Sequence, residues 1–165
     1  MRSAKPLPFG QCADIHRTER FICVQPLSGY RMVQPEDDGY VIYLLPDAGD
    51  DALGQAMLAA LDRSRFIPPP NEPEFFKWER YVQCHRNWQK DFMQRYGYKS
   101  RREAYKNLDS CRIKRTEGKI VIQPHKPDKP GYFSDLQPEM TVVIPETRDA
   151  ATVGAALRLA LDRCE

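Results

Sequence analysis

Two stretches of the chain carry the same pattern in the same order. Residues 21–64 read FICVQPLSGYRMVQPEDDGYVIYLLPDAGDDALGQAMLAALDRS, and residues 119–164 read KIVIQPHKPDKPGYFSDLQPEMTVVIPETRDAATVGAALRLALDRC. Val24-Gln25-Pro26 matches Ile122-Gln123-Pro124, Leu45-Pro46 matches Ile144-Pro145, and Leu53-Gly54 matches Val153-Gly154. Ala60-Leu61-Asp62-Arg63 recurs letter for letter as Ala160-Leu161-Asp162-Arg163. Each copy reads as strands followed by a helix, and two such units are expected to pair around one core. At 165 residues the chain is expected to be a single domain, 1–165, with a first unit over 21–66, a helical insertion over 67–110 and a second unit over 111–165.

The residues place the elements. Phe21 and Cys23 open an alternating strand, Pro26-Leu27-Ser28-Gly29 reads as a turn, and Tyr30 to Val33 as the return strand. Tyr40 to Leu45 is apolar with little alternation, which predicts a central strand buried on both faces. Leu53, Ala56, Met57, Ala60 and Leu61 fall at helical spacing, with Asp47 or Asp50 as the expected N-cap. Gly54 and Gly154 sit inside the two predicted helices, where glycine costs about 1 kcal/mol relative to alanine. Accepting that cost twice points to close packing, expected to be of helix on sheet. Between the units a proline run, Pro68-Pro69-Pro70, precedes a predicted helix over 74–96. Trp78, Tyr81, Val82, His85, Trp88, Phe92 and Tyr96 form its stripe, and Gly97 closes it. Ser100 and Glu103 then make a capping box for a second helix. Residues 1–19 show no clear period, and Pro6 and Pro8 argue against a regular element there. The fold class is therefore α+β: a mixed, mostly antiparallel sheet from two β-β-β-α units with an inserted helical pair.

Several classes of function find no support in the residues. The opening MRSAKPLPFG has no apolar core of a signal peptide, and Tyr40 to Leu45 is too short to cross a bilayer, so a cytoplasmic location is expected. Five widely spaced cysteines without a C-x-x-C read as reduced, mostly buried thiols, and neither a metal nor a cofactor is expected. No nucleophile elbow, phosphate loop or dinucleotide fingerprint occurs. Of the three histidines, His16 lies in the proline-punctuated N-terminus and reads as exposed. His85 reads as the edge of a core, and His125 as part of a solvent-exposed loop, HKPDKPG. An enzyme built around His16 or His85 is the weakest reading, and no catalytic residue is assigned.

Charge is polarised. Between Lys77 and Glu117 there are twelve Lys/Arg and five Asp/Glu, whereas Glu36 to Asp62 carries seven acidic residues and no basic one. Two interaction surfaces follow. The acidic set is Glu36, Asp37 and Asp38 in one loop with Asp47, Asp50 and Asp51 in another, which suits a basic protein partner. The basic, aromatic set is Tyr98, Arg101, Arg102, Tyr105 and Lys106, within 96–106, which suits single-stranded nucleic acid. Neither set repeats: Asp50-Asp51 aligns with Ala150-Ala151, so any site should be single and asymmetric.

Leu53-Gly54-Gln55-Ala56, Ala60-Leu61-Asp62-Arg63-Ser64-Arg65-Phe66 and Arg95-Tyr96-Gly97-Tyr98-Lys99-Ser100-Arg101-Arg102 add a further signal. Tyr105-Lys106-Asn107-Leu108, Gly118-Lys119-Ile120-Val121-Ile122-Gln123-Pro124, Val143-Ile144-Pro145 and Gly154-Ala155-Ala156-Leu157 complete it. In that order, from about residue 38 to the C-terminus, the chain resembles the immunity proteins of bacterial contact-dependent growth inhibition (CDI) systems. The resemblance implies a binding protein, not an enzyme. It would form a 1:1 complex with a cognate toxin domain, commonly a nuclease, and cover its active site or substrate surface. It implies no membrane partner and no small-molecule substrate, and leaves nucleic acid as the alternative. The chain departs from strongly acidic nuclease inhibitors in its formal net charge of +2.

Overall fold

The computed structural model describes residues 10–68, 70–129, 132–135 and 138–164. Pro6, Pro8 and Pro69 lie outside the described residues. Among the described residues fourteen elements follow one another. The strands are β1 (Gln11–Arg17), β2 (Ile22–Gly29), β3 (Val33–Gln34), β4 (Ile42–Leu44), β5 (Asp109–Thr116), β6 (Lys119–Lys129), β7 (Tyr132–Asp135) and β8 (Val142–Pro145). The helices are α1 (Asp50–Arg63), α2 (Trp78–Tyr96), α3 (Arg101–Tyr105) and α4 (Ala150–Asp162), with short 3-10 turns at Pro73–Phe76 and Pro138–Met140.

The eight strands form one sheet in the order β3-β2-β1-β5-β6-β7, with β4 also on β2 and β8 also on β6. Every ladder between named strands is antiparallel. The internal repeat is visible as a pseudo-two-fold about the β1–β5 pair. β2 is held by β4 along Ile22–Val24 and by β3 at Ser28–Gly29. β6 is held by β8 along Lys119–Ile122 and by β7 from His125 onward. Pro26 and Pro124 each fall in the gap between the two partners, so a missing N–H interrupts neither outer ladder.

Four expectations are corrected here. The chain does not turn at Pro26; β2 runs through it, and β3 is only two residues long. Tyr40 to Leu45 is not a central strand: β4 keeps three residues, half-buried on the edge of β2. The expected solvent-exposed loop at His125 is instead backbone of β6 paired with β7. The N-terminal segment supplies the central strand β1, which gives each unit four strands rather than three. Ala13 and Ile15 of β1 enter the core, while Asp14 and His16 face the other side of the sheet.

Helices α1 and α4 cover one sheet face. Leu53, Met57 and Leu61 pack with Val153, Leu157 and Leu161 over Ile15, Ile22, Val24, Ile113, Ile120 and Ile122. The interior glycines mark helix-on-helix contact, not helix-on-sheet. A Cβ on Gly54 would overlap the carbonyl of Ala150, and one on Gly154 would overlap the carbonyl of Asp50. Ala150 and Asp50 are themselves equivalent in the repeat, so one close crossing is built twice. The repeated Asp62 and Asp162 also act alike: Asp62 pairs with Arg115 of β5 at 2.7 Å, and Asp162 with Arg17 of β1 at 3.0 Å. Each helix is thus tied to the other unit's central strand. Neither Asp47 nor Asp50 caps α1, whose N-cap is Gly49 without a side-chain bond; Asp149 does cap α4, accepting from the Thr152 N–H at 3.2 Å.

Helices α2 and α3 lie on the opposite sheet face. Phe21 and Cys23 pack there with Trp88, Phe92, Tyr98, Ala104, Tyr105 and Leu108. The helix expected over 74–96 begins at Trp78, behind the Pro73–Phe76 turn. It ends at Gly97, which takes a left-handed φ of 72°. The N-cap half of the capping box forms, with Ser100 Oγ accepting from the Glu103 N–H at 3.1 Å; the Glu103 carboxylate reaches one residue further back and accepts from the Lys99 N–H at 2.8 Å.

Candidate functional site

Of the α2 stripe only Trp88 and Phe92 are buried. Trp88 and Phe92 enter the aromatic core, whereas Tyr81 and His85 are half-buried and Trp78 is 66% exposed. The first turns of α2 therefore overhang the sheet and leave a cleft of about 310 Å³ beneath them. Its floor carries Asp14 and His16 of β1, Gln25 of β2, Ser110 and Arg112 of β5, and His125 of β6. Its walls are Tyr81, Cys84, His85 and Trp88 of α2, with Val33 of β3 and Pro35 just after it.

All three histidines of the chain line this one cleft. From the sequence each is expected in a different place, two of them in solvent. Strand register brings them together: His16 lies opposite Ser110, and Ser110 Oγ is 3.4 Å from His125 Nδ1. His16 is buried, and burial drives its imidazolium pKa down to about 4, assisted by His125, His85 and Arg112 and opposed by Asp14. Burial, followed by Arg101, also lowers that of His85. Desolvation pushes the Asp14 carboxyl up, but the Arg112 guanidinium, bonded to it at 3.0 Å, outweighs that and holds it below the usual range. At neutral pH the floor is thus an Asp14–Arg112 ion pair beside a neutral His16. Among the described residues no three His, Cys, Asp or Glu side chains are grouped to hold a metal ion. The sequence signal that marks the cleft is the alternation of β1, where Asp14 and His16 share a face. The pairing that adds His125 and Arg112 needs the register of strands about a hundred residues apart.

The acidic set is divided. Glu36, Asp37 and Asp38 precede β4, beside the C-terminal end of α1, where Asp38 pairs with Arg63 at 2.8 Å. Asp47, Asp50 and Asp51 lie after β4, at the N-terminal end of α1. A 14-residue helix separates the two groups, about 20 Å. Most of these carboxylates already have partners: Glu36 with Arg65 at 2.8 Å, Asp37 with Arg80 at 2.7 Å, Asp50 with Arg158 at 2.8 Å. Asp51 accepts from Gln55 at 2.9 Å, and Asp47 is exposed in its loop.

The basic, aromatic set loses its rings. Tyr98 and Tyr105 are buried, at 7% and 4% exposure, and their hydroxyls donate to Thr18 Oγ1 at 2.8 Å and Gln89 Oε1 at 2.9 Å. Neither can stack on a base without leaving the core. Arg101, Arg102 and Lys106 remain exposed.

The comparisons agree with this architecture. A family model described as CDI immunity protein matches residues 11–164. The immunity protein CdiI-YPIII of Yersinia pseudotuberculosis serotype O:3 (strain YPIII) is 32% identical, covering 93% of this chain and 94% of that protein. A solved CdiA-CT/CdiI toxin and immunity complex from Yersinia pseudotuberculosis matches with a TM-score of 0.89 and 30% identity, over 95% of this chain and 98% of the other. A Neisseria meningitidis protein of unknown function matches over the full length of both chains with a TM-score of 0.87 and 27% identity. With the family model spanning both repeat units and the helices between them, the chain belongs to the CDI immunity protein family.

Proposed function

We propose that this chain acts in the cytoplasm and neutralises one cognate toxin C-terminal domain by binding it 1:1. The toxin in this reading is a nuclease, and the bound chain covers its active site or substrate surface. The observation that carries the reading is the likeness, at 30% identity over 95% of the chain, to the immunity partner in a toxin and immunity complex. The fold supports it physically. Two units cross-tied by Arg17–Asp162 and Arg115–Asp62 form a scaffold on which a preorganised surface loses little freedom when it docks. Candidate surfaces are the acidic loops, Glu36, Asp37 and Asp38 with Asp47, Asp50 and Asp51, and the cleft face of α2. The test is co-expression with the adjacent toxin reading frame. Growth is expected to be restored against that toxin and not against an unrelated one; continued arrest, with no complex between the purified proteins, overturns the reading.

A further inference from the structure

We propose that the toxin docks on the α2 face at the mouth of the cleft, with Trp78 as the anchor and an acidic segment of the toxin as the occupant. The proposal rests on the immunity reading above.

Trp78 has no role in the core that would explain a tryptophan in the first turn of α2. It is held in place all the same. Its ring stacks on Tyr81 at 5.2 Å and 29°, and Tyr81 stacks on His85 at 6.2 Å and 18°. His85 lies 5.8 Å from Trp88, and Trp88 lies 4.8 Å from His16 on the sheet. Five rings thus run in file from solvent to the floor of the cleft. The base of α2 is fixed as well: Arg80 donates to the carbonyl of Pro35 at 2.5 Å and pairs with Asp37. A large ring, pre-stacked beside a concave surface on a tethered helix, has the properties of an interface hot spot and has little rotamer freedom left to lose.

Charge selects the occupant. Between residues 77 and 106 there are nine Lys/Arg and three Asp/Glu. Of these, Arg101 lies close enough to act electrostatically on His85 of the cleft wall, and Arg102 and Lys106 stand exposed in the same short helix and at its C-cap. A second copy of this chain would bring two such faces together across a two-fold, like charge against like. An acidic toxin segment meets the same face with complementary charge, which both steers the encounter and fixes its register. This face is also the part the two repeat units do not share. The acidic loops, by contrast, stand about 20 Å apart, and Glu36, Asp37, Asp38 and Asp50 are compensated by this chain's own arginines.

The test is titration calorimetry of the purified cognate toxin domain against the full chain and three variants, each checked for an unchanged circular dichroism spectrum and melting curve. Trp78→Ala is expected to weaken binding at least about 30-fold, the range of a hot-spot residue. Arg101→Glu is expected to weaken it about tenfold, with the loss largest at low salt. The Asp47→Lys, Asp51→Lys double variant, at two exposed positions outside any ion pair described above, is expected to stay within about threefold of the wild type, as distant surface substitutions do. Full affinity in Trp78→Ala and Arg101→Glu, with loss in the aspartate variant, overturns the inference and leaves the immunity reading standing. No binding by the unaltered chain overturns both.

Discussion

Replacing Gly54 by alanine asks the α1–α4 crossing to hold a methyl group where the Ala150 carbonyl already stands. The obstacle is helix backbone, which cannot rotate away as a side chain can. The helices must move apart by about 1–2 Å to restore ordinary contact, loosening Leu53 and Met57 against Val153 and Leu157. Overpacking of this kind costs about 1–3 kcal/mol, and overlap with backbone belongs at the upper end. Alanine offsets about 1 kcal/mol of that through its better helix propensity. The expected net loss is about 2 kcal/mol, which for a domain of this size lowers Tm by about 4–8 °C. Gly154→Ala meets the equivalent carbonyl of Asp50 and should lose the same amount. Because both changes are relieved by one separation, the double variant should lose clearly less than the sum. Urea denaturation of the four proteins measures all three quantities. A neutral or stabilising Gly54→Ala, single variants that differ by more than about 1 kcal/mol, or strict additivity would refute the reasoning.

Acid should weaken the fold through His16 before it reaches the carboxylates. Its folded pKa of about 4 lies below the ordinary 6.5, so below pH 6.5 the unfolded chain takes up the proton first. Stability is full above pH 6.5 and declines as pH falls toward 4, by up to about 3 kcal/mol. Lowered pKa at His85 acts in the same direction, whereas the contribution of the Asp14–Arg112 pair begins to be lost only as pH falls into the ordinary carboxylate range, near 3.8. A urea midpoint unchanged between pH 7 and pH 4.5 contradicts this. Tyr98→Phe removes the buried bond to Thr18 and should cost about 1 kcal/mol in the same assay; a silent substitution would mean that bond carries nothing. With Tyr98 and Tyr105 buried, single-stranded RNA at low salt should give no gel shift, and a salt-sensitive shift would restore nucleic acid as a partner.

The helices were legible in the sequence because their signals are local. The stripe of α2, the Gly97 stop and the Ser100–Glu103 box need no distant partner. The repeat disclosed the shared core, and its doubled glycines announced a close approach, though not that the surface approached is the other helix. Strands read less well, for specific reasons. Pro26 resembles a turn signal until the gap between β3 and β4 is known. β1 alternates correctly from Ala13 to His16, but only one of its neighbours, β2, is next in the chain; the other, β5, comes from nearly a hundred residues away. The cleft was hidden for the same reason, since His16, His85 and His125 sit on three elements that only the sheet register and the overhang of α2 unite. The sequence puts the two acidic loops on either side of one predicted strand, Tyr40 to Leu45. It could not show that α1 holds them apart or that arginines from later in the chain compensate most of them.

The most direct test of the central claim is to mix the purified chain with its cognate toxin C-terminal domain and measure the mass of the product by size-exclusion chromatography with light scattering, alongside growth of cells expressing the toxin. The expected result is a 1:1 complex and restored growth specific to that toxin. Two separate peaks and undiminished arrest would contradict it.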